Sequence, residues 1–179
     1  MNKHSRFTPN IFALAVLALA LSVTGSAIAA NNTTASATGT VVTPLNITKA
    51  SDLAFGSFAV SAAGSVTVTP GGVRSVGGGV TAIASTTSTA AKFDVVGTAD
   101  MNYTLTLDAP TSLSAGGGNT MPFAAVSDTS ASAITSGTVA GGTLAGGGQS
   151  IYVGGVLTVA ANQAPGAYTG TLTATVAYN

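Results

Sequence analysis

The feature that most constrains this chain is an alternation of apolar and polar residues with a period of two. Side chains of a β-strand point to opposite faces in turn, so the alternation predicts strands with one buried face. The clearest segments are residues 66–69, 93–95, 103–107 and 151–159. Gly154 and Gly155 interrupt the last of them, which predicts a bulge or a close approach of another backbone.

Turn signals separate these segments at short intervals. Glycine, proline and asparagine favour turns, and they cluster at residues 70–72, 77–79, 108–110, 116–119, 141–142 and 146–148. The segments between them are rich in Thr, Val and Tyr, which favour strands. Residues 81–91 are ambiguous, but no segment shows a clear helical period. The pattern predicts an all-β sandwich or a closed all-β sheet.

The first thirty residues have the pattern of a secretory signal peptide. Lys3, His4 and Arg6 form a basic start, residues 11–21 are an unbroken apolar run, and residues 27–29 form an Ala-x-Ala cleavage motif. The run is shorter than the roughly 20 residues of an ordinary membrane span. We therefore predict a signal peptide over residues 1–29 and a single mature domain over residues 30–179, with an uncleaved N-terminal anchor as the alternative.

The residue inventory excludes most catalytic and metal-binding classes. The chain has 179 residues, of which 6% are charged, with no Cys and a single His, His4. Without Cys or His, the mature chain has no thiolate or imidazole metal site and no Ser-His-Asp triad. Removing Lys3 and Arg6 leaves three basic residues against five acidic ones, a net charge of −2. This balance excludes a basic surface for nucleic acid.

Two arrangements of oxygen ligands remain as minor candidates. Asp94 and Asp100 could form a carboxylate pair of the kind used in glycoside hydrolysis. Asp100, Asn102 and Asp108 could bind Ca²⁺, although no Asp-x-Asp-x-Asp-Gly loop is present. Asp is a common turn residue, so turn positions explain these Asp residues better than catalysis or metal binding does. We therefore predict a protein that is not an enzyme and that has no cofactor or metal.

The two ends of the mature chain have the longest alternations. Near the N-terminus the small apolar positions are Ala35, Ala37, Gly39 and Val41. Near the C-terminus the corresponding positions include Gly166, Tyr168, Leu172, Val176 and Tyr178. Strands of this kind can pair within their own sandwich or add to the edge of another sheet.

Six motifs are distributed along the mature chain: Pro44-Leu45-x-Ile47-Thr48, Asp52-Leu53-x-Phe55-Gly56, Val66-Thr67-Val68, Phe93-x-Val95-x-Gly97, Tyr152-Val153-Gly154-Gly155-x-Leu157-x-Val159 and Gly166-x-Tyr168-Thr169-Gly170-Thr171. Together they resemble those of a secreted bacterial family, the domain of unknown function 4402. The resemblance covers nearly the whole mature chain, but the family's description implies no particular function.

The chain ends also resemble those of chaperone–usher pilus subunits and spore-coat U-like domains. In those families the alternating C-terminal strand has Tyr next to last and Gly fourteenth from the end, which match Tyr178 and Gly166. An N-terminal extension of small alternating residues also matches. Many such subunits have a pair of cysteines, which this chain lacks. The resemblance implies an immunoglobulin-like antiparallel β-sandwich that receives a strand from a neighbouring subunit.

From this resemblance we predict a structural subunit of a fimbria-like or coat-like bacterial surface assembly. Residues 30–48 form a candidate donor strand. The predicted assembly residues are Ala35, Ala37, Gly39 and Val41 in the donor, and Gly166, Tyr168, Leu172, Val176 and Tyr178 in the receiving or chaperone-recognised strand.

The predicted partners are further copies of the chain, a periplasmic chaperone and an outer-membrane usher. The protein would be secreted through the periplasm and would end at the cell surface or outside the cell. The alternative is a monomeric cell-surface binding module, such as an adhesin or a glycan-binding domain. An enzyme is a third hypothesis, and it requires two Asp residues in one cleft.

Overall fold

The computed structural model describes residues 31–179, and the predicted signal peptide over residues 1–29 lies outside them. Residues Thr40–Asn179 form one compact unit, and residues 31–39 do not belong to it. The described residues contain ten strands and a single short 3₁₀ helix, and no α-helix. The predicted all-β class is therefore confirmed.

The strands are 3 to 12 residues long. They are β1 (Asn46–Ser51), β2 (Phe58–Val68), β3 (Arg74–Ala82), β4 (Ala91–Val96), β5 (Asn102–Asp108), β6 (Ser112–Gly116), β7 (Asn119–Asp128), β8 (Gly141–Thr143), β9 (Gly148–Val159) and β10 (Thr173–Tyr178), and the 3₁₀ helix (Ala145–Gly147) lies between β8 and β9.

All strand pairs are antiparallel and form two sheets in a sandwich-like arrangement. The larger sheet has the order β1-β4-β9-β2-β3, with β7 also paired to β9 and β6 paired to β7. The smaller sheet has the order β10-β5-β8. Strands β1 and β10 are therefore edge strands of the two sheets, and they approach each other.

Strand β9 connects the two halves of the larger sheet. Along one edge, residues 148–153 pair with β4 and residues 155–159 pair with β2. Along the other edge, residues 152–157 pair with β7. Gly154 lies where the partner changes, and a Cβ there would collide with the carbonyl oxygen of Val68. The close backbone approach predicted at this glycine pair is confirmed.

The inward side chains form two hydrophobic cores, one in each half of the sandwich. The first core lies between the β1-β4-β9 half and the smaller sheet, and its buried residues are Ala91, Phe93, Val95, Tyr103, Leu105, Leu144, Ile151 and Val153. The second core lies on β2, β3, β7 and the rest of β9, and its buried residues are Phe55, Val66, Val68, Val80, Met121, Phe123, Leu157 and Val159. Fully burying one such large side chain stabilises the fold by about 1.5–3 kcal/mol.

Two of the predicted turns are wrong, because both segments lie in strands. The glycines at 77–79 lie inside β3, where the backbone of β2 approaches so closely that a Cβ on Gly78 would contact Ala63 and one on Gly79 would contact Ala62. Gly141 and Gly142 belong to β8. Glycine at these positions permits close strand packing rather than reversal of the chain. The turns predicted at 70–72, 108–110, 116–119 and 146–148 do separate strands or begin one.

The alternations at both ends are longer than the strands they contain. At the N-terminus the strand begins only at Asn46, and residues 31–45 form no strand. At the C-terminus β10 begins at Thr173, and before it only Thr169 forms a bridge, to Ser114. Residues 166–172 alternate although they form no strand, because Tyr168 and Leu172 still pack against the cores.

Candidate functional site

A groove of approximately 1050 Å³, lined by apolar side chains and also by polar groups, opens between two segments that flank the edge strands. One wall is residues 49–60, which run from the end of β1 into β2, and the other wall is residues 163–172, which lead into β10. The floor belongs to the second core and includes Met121, Phe123 and Leu157. The groove therefore gives access from the surface to core side chains.

Strand edges that lack a partner lie next to this groove. In the larger sheet β1 pairs only with β4, and in the smaller sheet β10 pairs only with β5. The pairing of β2 with β9 covers only residues 64–68, so residues 58–63 pair on one side at most. A row of unpaired N–H and C=O groups is a template for another strand. Strand β10 has no charged residue to discourage such pairing.

Side-chain hydrogen bonds hold the 163–172 wall in place. The Tyr168 hydroxyl donates to the carbonyl of Ala164 at 2.8 Å and accepts from the Gln163 amide at 2.6 Å. The same amide donates to the carbonyl of Thr120 at 3.0 Å. Thr169 and Ser114 exchange two backbone hydrogen bonds of 2.9 Å. These contacts replace the strand pairing that residues 163–172 lack.

The opposite wall is fixed by charged side chains. The Arg74 guanidinium donates to the carbonyls of Phe55 at 3.1 Å and Ile83 at 3.1 Å, which joins the wall to the end of β3. At the rim, Lys49 and Asp52 form an exposed ion pair with an N–O distance of 2.6 Å. Two backbone hydrogen bonds of 2.9 Å tie Ala54 to Thr89.

A group of hydrogen bonds lies at the opposite end of the edge strands, where β10 ends and β1 is about to begin. The hydroxyl of Tyr178 accepts from the backbone N–H of Thr98 at 2.7 Å and donates to the carbonyl of Thr43 at 2.8 Å. The N–H of Thr43 donates to Oγ1 of Thr98 at 2.8 Å. Gly97 leaves space for this arrangement, because a Cβ there would collide with the Tyr178 hydroxyl. We call these three hydrogen bonds the Tyr178 knot.

Comparison with known protein families identifies the domain. Residues 45–178 match the family described as "Domain of unknown function (DUF4402)". The chain belongs to this family. The match begins just before β1 and ends in β10, so it includes both walls of the groove in this DUF4402 domain. No curated protein and no solved structure matches the chain.

The predicted receiving residues of the DUF4402 domain fall into two groups. Gly166, Tyr168 and Leu172 line the groove. Val176 and Tyr178 lie on β10 and pack against the first core. The structure thus divides what the sequence predicted as one continuous strand into a groove wall and a short edge strand.

The predicted donor residues lie in a segment without secondary structure. Ala35, Ala37, Gly39 and Val41 are all exposed, and the Val41 side chain is 99% exposed. A Cβ on Gly39 would meet no atom within 4 Å. These positions therefore have the unpaired backbone that a donor strand requires.

The sequence analysis did not identify the wall formed by residues 49–60. Its apolar side chains, Leu53, Phe55, Phe58 and Val60, face the groove. The Asp-Leu-x-Phe-Gly motif at 52–56 contained this signal, since Leu53 and Phe55 are two residues apart and share a face.

The candidate Ca²⁺ ligands are not brought together. Asn102 and Asp108 lie at opposite ends of β5, about 20 Å apart at roughly 3.3 Å per residue. Asp100 lies in a turn with a φ of 61°, and the side chain of Asn102 accepts a hydrogen bond from Thr143. Residues 31–179 contain no group of three His, Cys, Asp or Glu side chains that could hold a metal ion. The same residues include no helix with the length and apolarity needed to cross a bilayer.

The outer face of β4 and β9 carries a small polar cluster. Asp94 accepts a hydrogen bond from the Ser150 hydroxyl at 2.6 Å and contacts the Lys92 ammonium at 3.0 Å. Both interactions favour the ionised carboxylate, so the Ser150 hydrogen bond first and Lys92 second lower the pKa of Asp94. Asp94 is thus engaged by Ser150 and Lys92.

We expect Ser150→Ala to raise the pKa of Asp94 towards its ordinary value, which carboxyl NMR signals recorded against pH would show. Because the folded-state pKa of Asp94 is lowered, its contribution to stability is present above the unfolded-state pKa and is lost as the pH falls through the folded-state pKa. Thr48→Val is the matched control, since the Thr48 hydroxyl donates to the Asp94 carbonyl and not to its carboxylate. An unchanged Asp94 titration in Ser150→Ala would contradict this account.

Proposed function

We propose that this protein is a non-enzymatic structural subunit of a fimbria-like or coat-like bacterial surface assembly that is built by strand addition. The observation that carries the proposal is the apolar groove with unpaired strand edges, in a chain whose N-terminal segment is exposed and unpaired. A strand added to a sheet edge gains main-chain hydrogen bonds, and its alternate side chains fill pockets. The immunoglobulin-like topology belongs to the same proposal.

The N-terminal segment has the properties of a donor. From Ala35 to Val41 it spans about 20 Å when extended, at roughly 3.3 Å per residue. Its alternate residues are small, so they could lie over Phe123 and Leu157 at the floor of the groove. Residues 31–48 contain no charged side chain, so the inserted segment itself would bring no ion to desolvate.

The geometry of the domain favours a head-to-tail arrangement. The segment joins the domain at Thr43, beside Tyr178 at the end of β10. The groove lies at the other end of β10, whose six residues span about 17 Å at roughly 3.3 Å per residue. The donor segment therefore leaves the domain on one surface, and the receiving groove opens on another. A contact between two such different surfaces is heterologous, and heterologous contacts form open filaments when they do not close a ring.

Export would precede assembly in this proposal. The signal peptide directs the chain to the periplasm, where a chaperone would cover the unpaired edges and an outer-membrane usher would pass the subunit to the cell surface. The unpaired edges would need such a chaperone, because an uncharged edge strand such as β10 is prone to nonspecific pairing with other strands.

The decisive experiment compares residues 30–179 with a chain that begins at Asn46, by light scattering and electron microscopy. We expect the longer chain to form linear assemblies and the shorter chain to remain monomeric. A peptide of residues 31–44 should bind the shorter chain, and its scrambled version should not. If the longer chain remains a monomer even with its export partners and the peptide does not bind, the proposal is wrong, and the monomeric binding module becomes the better reading.

We expect Val41→Asp to reduce assembly at least tenfold, because the side chain would place an unpaired carboxylate in an apolar groove. Val41 is 99% exposed, so the stability of the monomer should change by less than about 0.5 kcal/mol. Assembly is measured by light scattering and stability by urea denaturation.

Val42→Asp is the control for this substitution, because Val42 lies on the opposite face of the extended segment. We expect this variant to assemble like the unmodified chain. Equal losses for the two variants would show that the segment does not insert with a period of two.

A further inference from the structure

A subunit whose own N-terminal segment could fill its own groove would assemble poorly. A short flexible connection gives an effective concentration in the millimolar range, whereas a second copy in solution is present at micromolar concentration. Self-insertion would then be favoured by roughly a hundredfold or more. An assembling subunit therefore needs a feature that keeps its segment from folding back.

The route for folding back is visible in the fold. Strand β1 pairs with β4 on one side only, so its other edge is free. A hairpin that reversed at residues 43–45 would lay residues 35–42 antiparallel along this free edge. β1 runs from Asn46 towards Lys49 at the groove rim, so the hairpin would bring the segment to the groove of its own domain.

The Tyr178 knot involves Thr43, which is the residue at which this hairpin would begin to turn. The N–H of Thr43 is bound to Oγ1 of Thr98 at 2.8 Å, and its carbonyl is bound to the Tyr178 hydroxyl at 2.8 Å. The Tyr178 hydroxyl is itself fixed by the N–H of Thr98 at 2.7 Å. Pro44, the next residue, has no N–H to donate and a φ confined near −65°. Both backbone polar groups of Thr43 are thus committed to the domain.

We propose that the Tyr178 knot prevents the N-terminal segment from pairing with its own β1, and so directs residues 35–41 to another copy of the chain. Tyr178 is in this view a positioning residue, since it touches the root of the donor and not the groove. The inference rests on the proposed function, and it adds the feature that decides between self-insertion and assembly.

The test uses Tyr178→Phe, which removes the hydroxyl and keeps the ring that packs against the first core. We expect linear assembly to fall at least tenfold. We also expect the amides of residues 35–42 to exchange at least tenfold more slowly in the monomeric variant than in the unmodified monomer, because fold-back pairing protects them. Tyr152→Phe is the matched control, since Tyr152 lies on the outer face of β9 away from both knot and groove.

The outcomes separate the two proposals. If the unmodified chain assembles and Tyr178→Phe assembles as well as Tyr152→Phe, the knot inference is overturned while the proposed function stands. Slow exchange of residues 35–42 already in the unmodified monomer would also overturn it. If neither the unmodified chain nor any variant assembles, the proposed function fails, and the inference fails with it.

A second variant guards against misfolding of Tyr178→Phe. Thr98→Val removes the acceptor of the Thr43 N–H and leaves Tyr178 intact. It should shift exchange and assembly in the same direction, by a smaller factor. Unchanged exchange and assembly in a folded Thr98→Val chain would count against the knot.

Discussion

Gly154→Ala is expected to lower the free energy of unfolding by about 3 kcal/mol or more, because the new methyl group has no space. Its Cβ would collide with the carbonyl oxygen of Val68 and would approach the carbonyl carbon of Thr69 to 2.7 Å. Both are backbone atoms of β2 and the turn after it, and they cannot move without breaking the pairing of β2 with β9. Urea denaturation followed by circular dichroism measures the change.

Gly148→Ala is the control, because it places the same methyl group in the same strand. The nearest atom to a Cβ at Gly148 is the carbonyl oxygen of Val95 at 3.6 Å, an ordinary contact. Its backbone is extended, with a φ of −150°, so alanine fits without strain. We expect a change within about 0.5 kcal/mol for this variant. Similar losses at Gly148 and Gly154 would show that the crossing of β2 and β9 is looser than described.

Phe123→Ala is expected to lower the free energy of unfolding by about 3–5 kcal/mol, the usual cost of removing a buried aromatic ring. Phe123 is 8% exposed, and its ring meets that of Phe55 edge to face, with centroids 6.0 Å apart and an angle of 85° between the planes. Such a pair adds about 0.5–1.5 kcal/mol to the burial of its area. The substitution removes this contact and leaves a cavity under the groove.

Phe123→Leu is the matched control, since leucine retains most of the volume but not the ring. A loss of about 1.5 kcal/mol is expected for it. Because β9 passes through both cores, we expect each variant to unfold in one transition when followed by tyrosine fluorescence and by circular dichroism. Tyr103 and Tyr178 report on the first core and Tyr168 on the second. Two separate transitions would contradict the coupling of the cores through β9.

The strands that line both cores could be predicted from the sequence. In β4, β5 and β9, alternate residues such as Phe93, Leu105 and Ile151 are buried, and their neighbours are not. A period of two indicates that one face of a strand is buried, so these strands can be predicted without knowing which distant residues they contact. The close backbone approach at Gly154 could also be predicted locally, because a pair of glycines interrupts the alternation there.

Features that depend on distant segments could not be predicted. Gly77, Gly78 and Gly79 have the composition of a turn, and only the backbone of β2 explains why they lie in a strand. Residues 166–172 alternate like a strand, but apart from the single bridge of Thr169 to Ser114 their backbone is not paired, and Tyr168 and Leu172 still meet the cores. Alternation reports which side chains face inward, and it does not report whether a backbone is paired.

The groove shows the same limit for the candidate site. One wall was predicted through Gly166, Tyr168 and Leu172 because it lies within a long alternation. The other wall, with Leu53 and Phe58, exists because pairing of β2 with β9 covers only residues 64–68. That register is a long-range property, so the sequence could suggest a candidate interface but not the groove that the structure shows.

In the proposed assembly, the pairing of β1 has a mechanical consequence when the protein is pulled. Backbone hydrogen bonds between antiparallel strands are perpendicular to the strands. A pull on Thr40 along the axis of β1 would therefore load the bonds that join Asn46–Ser51 to β4 together, in shear. The Tyr178 knot lies between the point of pulling and β1, and it would take up tension first. In a linear polymer of such subunits, the hydrogen bonds of the Tyr178 knot would break before the sheets separated. The polymer would therefore lengthen before it broke.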